Sequence, residues 1–161
     1  IPEDASRIAE ILVFSKRTNY RSIFHNDAYS FGELQVLPLA LELQRDTALL
    51  SEYWVYDDEF VKGLVRISGE EIVQCYVDVF FVGQGIGGAL LDFACEQRGA
   101  WFLWVLEKNP GAQRFYRRHG FAFTGERRLK TILRVPDTVF PSPVFQLFMS
   151  CIAGSGCIVY P

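Results

Sequence analysis

Apolar positions along the chain follow two different periods. Ile8, Ile11 and Leu12, with Val13 beside them, recur at helical spacing behind Asp4, whose carboxylate suits an N-cap. Tyr20 and Phe24 either prolong this helix or begin a second piece. Ser30-Phe31-Gly32-Glu33 has the letters of a capping box, with Ser30 as N-cap and Glu33 three positions on. Pro38 must break or restart the helix that follows, because it offers no N–H. Leu39, Leu41, Leu43, Leu49 and Leu50 make the next stretch apolar but poorly phased. From Tyr53 the period becomes that of strands. Tyr53–Tyr56, Phe60–Ile67 and Ile72–Val79 are rich in β-formers, with turns at Asp57-Asp58-Glu59 and Ser68-Gly69-Glu70 between them. Gly63 marks a candidate bulge. The three strands predict an antiparallel meander.

Beyond it the order is glycine loop, helix, strand, helix, strand. Ile86, Ala89, Leu90, Phe93 and Ala94 form one apolar stripe of a helix that Arg98-Gly99 ends. Trp101–Leu106 is a near-continuous apolar strand, as expected when both faces are covered. Asn109 as N-cap and Pro110 at the first position start another helix, which Gly120 ends. Phe121-Ala122-Phe123 opens a further strand, and Val144–Met149 predicts a last one; residues 151–161 form an unassigned tail. No internal repeat is present. The pattern predicts a single domain over 1–161, of α/β (α+β) class, with a mixed, mainly antiparallel central sheet flanked by helices.

Composition supports a folded domain. Half of the 161 residues are hydrophobic, and 14 Phe, 7 Tyr and 3 Trp supply bulk for a core. The net charge of −3 argues against a nucleic-acid partner, which usually meets a basic excess. Cys75 and Cys95 lie in apolar patterns and read as small buried hydrophobes. Cys151 and Cys157 flank Gly154-Ser155-Gly156 at a spacing that fits no common zinc pattern, and His25 and His119 are distant, so no metal is expected. The chain opens on no signal-peptide pattern and holds no apolar run near the ~20 residues of a membrane span. A cytoplasmic, reduced protein with no membrane partner is the expectation.

Gly83-Gln84-Gly85-Ile86-Gly87-Gly88 is the segment that carries chemistry. Phosphate binding needs N–H donors that approach without side chains in the way, and glycines between a strand and a helix N-terminus provide them. Two nucleotide-type cofactors fit. The letters satisfy the dinucleotide pattern G-x-G-x-x-G, and Glu107 follows about 20 residues later. Against a dinucleotide fold, the preceding elements are antiparallel and the loop comes mid-chain. A tight turn with no ligand is the bland alternative.

The second reading rests on two longer runs. Gly83-Gln84-Gly85-Ile86-Gly87-Gly88-Ala89-Leu90-Leu91 is followed by Asn109-Pro110-Gly111-Ala112 and Phe115-Tyr116-Arg117-Arg118-His119-Gly120-Phe121, with a Trp-containing strand between. Together they resemble motifs A and B of the GNAT superfamily of acetyl-CoA-dependent N-acetyltransferases. The resemblance covers roughly residues 52–125. It implies an enzyme that moves an acetyl group from acetyl-CoA directly to a primary amine, on a small molecule, a protein N-terminus or a lysine, working as a monomer or homodimer. It implies pantetheine beside the third strand at Tyr76, Val77 and Val79, with the next strand splaying away. It implies cofactor contacts from Gln84, Gly85, Ile86, Gly87, Gly88, Ala89, Asn109, Ala112 and Phe115. Tyr116 stands where the family places its general acid. Val82 replaces the family's usual Arg or Gln, which leaves pyrophosphate to backbone N–H groups and Gln84. A non-catalytic acyl-CoA sensor is the alternative that Val82 favours. Ala112, Phe115, Tyr116 and His119 also fit one buried helical stripe. Glu70, Glu71 and Asp78 are candidate bases. Arg114, Arg117, Arg118, Arg127, Arg128 and Lys130 make a local basic cluster, either steering an anionic cofactor or simply solvated.

Overall fold

The computed structural model describes residues 1–129 and 144–151. Three helices come first: α1 (Ala5–Phe24), α2 (Val36–Arg45) and α3 (Thr47–Ser51). Then follow β1 (Tyr53–Asp58), β2 (Phe60–Ser68), β3 (Glu71–Val77), α4 (Ile86–Asp92), β4 (Phe102–Leu106), α5 (Pro110–Arg118), β5 (Phe121–Leu129) and β6 (Phe145–Cys151). The strands form one sheet in the order β1-β2-β3-β4-β6-β5. Every neighbouring pair is antiparallel except β3 and β4. The expected mixed, mainly antiparallel sheet is thus present, meander included. Cys151, expected in the tail, closes β6 instead, and residues 152–161 lie outside the described residues.

The helical half departs more from expectation. Asp4 stands at the N-cap of α1 without making a capping bond, because the Ile1 amine takes its carboxylate at 2.9 Å. Tyr20 and Phe24 prolong α1. Ser30 caps nothing: it lies within a wider π turn over Ala28–Glu33, and α2 starts behind Gln35. Pro38 restarts a helix, since it sits in the first turn of α2, where an N–H would have no acceptor. Asp46 caps the short α3 by accepting from Leu49 N at 2.8 Å.

Two bulges decide which way side chains face. Between β1 and β2 the register passes from Tyr56↔Gly63 to Asp57↔Val61, so Lys62, next to Gly63, is the extra residue. Between β2 and β3 it passes from Arg66↔Gln74 to Ile67↔Ile72, leaving Val73 unpaired. An inserted residue reverses the alternation of faces. Hence Val61 and Leu64, three apart, both join the core under α1 and α2, together with Ile8, Leu12 and Leu43. Ile72 and Cys75, also three apart, both face the opposite core, formed with Leu90, Leu91, Leu103 and Met149. Leu64 and Leu91 are fully buried in opposite layers. Each such residue contributes about 1.5–3 kcal/mol relative to exposure. At Gly63 an added Cβ would stand 3.0 Å from both Ile86 Cγ2 and Leu90 Cδ1, so its bareness lets α4 seat on the sheet.

Candidate functional site

The parallel pairing of β3 with β4 is brief. It holds at Glu71↔Phe102 and Ile72↔Leu103, with Trp101 N donating to Glu70 O at 3.0 Å. Past the bulge at Val73 the strands part, while β4 stays paired with β6 through Leu106. A slot opens between them. Asp78 N donates to Lys62 O of β2 at 2.9 Å. Alternation therefore turns the main-chain groups of Val77 and Cys75 away from β2 and into the slot. Val77 thus turns its main chain toward the slot. Tyr76 points its main chain at β2 and its side chain at the α1 core. Val79 lies beyond the strand, in a turn closed by Phe81 N donating to Asp78 O at 2.9 Å. Cys75, two residues before Val77, is the other strand residue whose main chain turns toward the slot.

The glycine loop hangs from Asp78. Arg7 of α1 pairs with that carboxylate at 2.6 Å, and Phe80 N donates to it at 2.9 Å. Gly83 and Gly85 have φ of +86° and +84°, and an added Cβ at either would meet open space. They let the chain turn into α4, whose first helical bond runs from Ala89 N to Gly85 O at 3.0 Å. The N–H groups of Ile86, Gly87 and Gly88 precede any helical acceptor and are free for an anion. Gly87 and Gly88 serve a second purpose. Added Cβ atoms there would reach 3.2 Å from Phe115 Cζ and 2.9 Å from His119 Nε2, so both glycines let α5 approach α4. Gln84 and Ala89 are exposed on the rim, and Val82 is 67% exposed with no polar group to offer.

On α5, Asn109 Oδ1 accepts from Ala112 N at 3.0 Å, the predicted cap. Ala112, Phe115 and Tyr116 pack on the α4-side core, and Phe115 lies edge-on to Tyr116 with ring centroids 5.2 Å apart. His119 Nδ1 bonds Phe115 O at 2.9 Å. The stripe is real, and it packs Tyr116 on the same core as Cys75, within electrostatic reach of it. Burial pushes the Tyr116 hydroxyl well above the usual tyrosine range, and the nearby Cys75 and Tyr20 add to it. Burial also pushes the Cys75 thiol up to about 12. Both groups stay protonated at neutral pH.

The candidate bases fare differently. Glu70 accepts from Trp101 Nε1 at 2.9 Å. Glu70 and Glu71 mark the start of β3, about 20 Å along the strand from Val77. Asp78 is engaged by Arg7 and the loop. His25 ends α1 at the solvent side, and His119 is wedged between α4 and α5. The basic cluster also divides. Arg114, Arg117 and Arg118 are exposed on α5. Arg127 pairs with Glu107 at 2.7 Å, which removes Glu107 from any ribose role. Arg128 lies 4.0 Å over the Trp104 ring and donates to Gln146 at 3.1 Å. Lys130 lies outside the described residues. Among the described residues, no group of three His, Cys, Asp or Glu is placed to hold a metal, and no helix is long and apolar enough to cross a membrane. A dinucleotide fold would surround the loop with parallel strands, and β2 beside β3 is antiparallel.

Known proteins place this geometry. The model of the acetyltransferase (GNAT) domain matches residues 50–122. No curated protein matches the chain in sequence. Solved structures match its fold. The apo form of YjaB from Escherichia coli aligns with a TM-score of 0.66 at 22% identity, over 94% of this chain and 92% of that one. The PaiA N-acetyltransferase from Thermoplasma acidophilum, solved in complex with coenzyme A, aligns with a TM-score of 0.63 at 16% identity, over 94% of each. A GCN5-related N-acetyltransferase from Rhodopseudomonas palustris gives 0.66 at 20% identity, over 94% of this chain and 92% of that one. At these identities the likeness is one of fold. The domain model over residues 50–122 and these matches show a chain with the fold of GNAT acetyltransferases and the sequence signature of their domain over that segment.

Proposed function

We propose that the protein moves an acetyl group from acetyl-CoA directly to a primary amine. The observation that carries this reading is the slot past Ile72 and Leu103, with the glycine cradle at one end and Tyr116 on its wall. The N–H groups of Gly85, Ile86, Gly87 and Gly88 and the Gln84 side chain would hold the pyrophosphate, with Ala89, whose N–H closes the first helical bond, beside them on the rim. The main chain of Val77, with Cys75 beside it, would pair with pantetheine amides as an added strand does. Asn109, Ala112 and Phe115 would flank the same groove. That coenzyme A is bound by the Thermoplasma acidophilum relative supports the cofactor assignment. Bound there, the cofactor supplies a thioester carbonyl and a thiol leaving group. Tyr116 keeps its proton at working pH and offers it where the sulfur leaves.

Two measurements test this. Acetyl-CoA should raise the melting temperature, and an amine panel should release free thiol; no stabilisation by any CoA species would end the reading. Tyr116→Phe should lower turnover by a factor on the order of 10² or more while leaving the acetyl-CoA shift intact. An acyl-CoA sensor, the reading Val82 favours, would show the thermal shift with no thiol release from any amine.

A further inference from the structure

The α1 side of the slot is polar at one point, where two tyrosines meet. The Tyr20 hydroxyl, from α1, lies 2.7 Å from the Tyr76 hydroxyl of β3. Tyr76 and Cys75 are adjacent residues on opposite faces, so Tyr76 looks toward α1 while Cys75 looks toward Tyr116. No β4 backbone closes the sheet at this level, so the two faces share one gap. Tyr116 accordingly interacts electrostatically with Tyr20 and Tyr76 across it. Tyr116 and the Tyr20–Tyr76 pair thus stand on opposite sides of the place the reading above gives to the thioester.

The rest of this wall is aromatic. Tyr20 lies edge-on to Phe24 at 5.2 Å, and Phe24 to Tyr29 at 5.7 Å. Phe24 is buried against Leu106 and Val144. Trp104 alternates with Leu103 and Val105, which face α4, so it lines this same side, carrying the Arg128 guanidinium on its ring. Among the described residues carboxylates are scarce here, Glu107 being paired with Arg127 and Asp27 with Arg21. Asp78 belongs to Arg7, Glu70 and Glu71 stand at the far end of β3, and Glu33, within electrostatic reach of Tyr29, is exposed. A desolvated ammonium needs a carboxylate or several acceptors, and a polycation needs several such sets. This wall offers a cation and aromatic faces.

We propose that the Tyr20–Tyr76 hydroxyl pair seats the acceptor amine, and that the acceptor is a primary monoamine on an aromatic or apolar body, not a polycation. The inference rests on the transfer reading above. One hydroxyl proton is spent between the two tyrosines, which leaves oxygen lone pairs to accept an amine N–H and aim the nitrogen at the slot. As the N–C bond forms and the C–S bond breaks, the neutral amine loses one proton and the sulfur gains one, so the sum is balanced.

The test is thiol release from acetyl-CoA with phenethylamine, tyramine, spermidine and kanamycin as acceptors. The two aromatic monoamines should show kcat/KM about tenfold or more above the polycations. Tyr20→Phe and Tyr76→Phe keep the rings and should each raise the KM for phenethylamine about tenfold, the weight of one lost hydrogen bond. Their acetyl-CoA-induced thermal shifts should match the parent chain. Preference for spermidine or kanamycin, or a parental KM in both variants, overturns the proposal while the transfer reading stands. A parent chain that gains no stability from acetyl-CoA overturns both.

Discussion

At Gly85 the backbone has φ +84° and open space where a side chain would be; at Gly63 φ is ordinary and a Cβ would crowd α4 and Tyr76 O at 3.1 Å. The two positions separate binding from stability. Gly85→Ala forces a left-handed alanine, costing about 1–2 kcal/mol, and puts a methyl into the cradle. It should abolish most of the acetyl-CoA thermal shift. Gly63→Ala crowds a packed interface whose backbone carbonyl cannot turn aside, costing about 1–3 kcal/mol. It should lower the denaturation midpoint yet keep the cofactor shift. Denaturant titrations with and without acetyl-CoA check both. The cradle was legible in the letters, because the left-handed backbone at Gly83 and Gly85 is a local demand. The second duty of Gly87 and Gly88 was not, because it depends on where Phe115 and His119 arrive.

At the scale of elements, α5 shows how a local signal carries through to the site. Asn109 caps the helix that bears Ala112, Phe115 and Tyr116. Asn109→Ala should cost about 1 kcal/mol of stability by denaturant melt. It should also lower turnover more than it weakens acetyl-CoA binding, since the first turn sets where Tyr116 stands. Ser30 is the counter-example. Its letters with Glu33 fit a capping box, but Arg17 Nε donates to Ser30 O at 2.9 Å and Asn26 Oδ1 accepts from Tyr29 N at 2.9 Å. These contacts hold the segment in a π turn instead, so a tertiary partner overrides the local rule.

Across the whole molecule, burial leaves a cluster of weak acids protonated. Tyr20, Tyr76 and Tyr116 are raised above the ordinary 10.0, Tyr29 to about 12, and Cys75 from 9.0 to about 12, each mainly by burial. In the unfolded chain these groups ionise at their ordinary values. Between about pH 9 and 12 the folded state therefore binds more protons than the unfolded one, and stability falls as pH rises; below that window these groups contribute no slope. Unfolding free energies at pH 8 and pH 10.5 should differ accordingly. The Tyr116→Phe variant should show a shallower loss.

What the sequence determined alone is what short segments decide: the strand and helix periods, the Asn109 cap, and the glycine turn into α4. Each depends on residues within a turn or two, where backbone preference and side-chain reach act without the rest of the chain. The tertiary structure decided the rest. Unpaired residues at Lys62 and Val73 exist only against a partner strand, and they determine which side chains face which layer. The slot exists because β4 follows β6 away from β3. Asp78 is tied to Arg7 across 71 positions, and Tyr20 meets Tyr76 across 56. Such pairings are set by how distant elements pack, and no local pattern of letters encodes them.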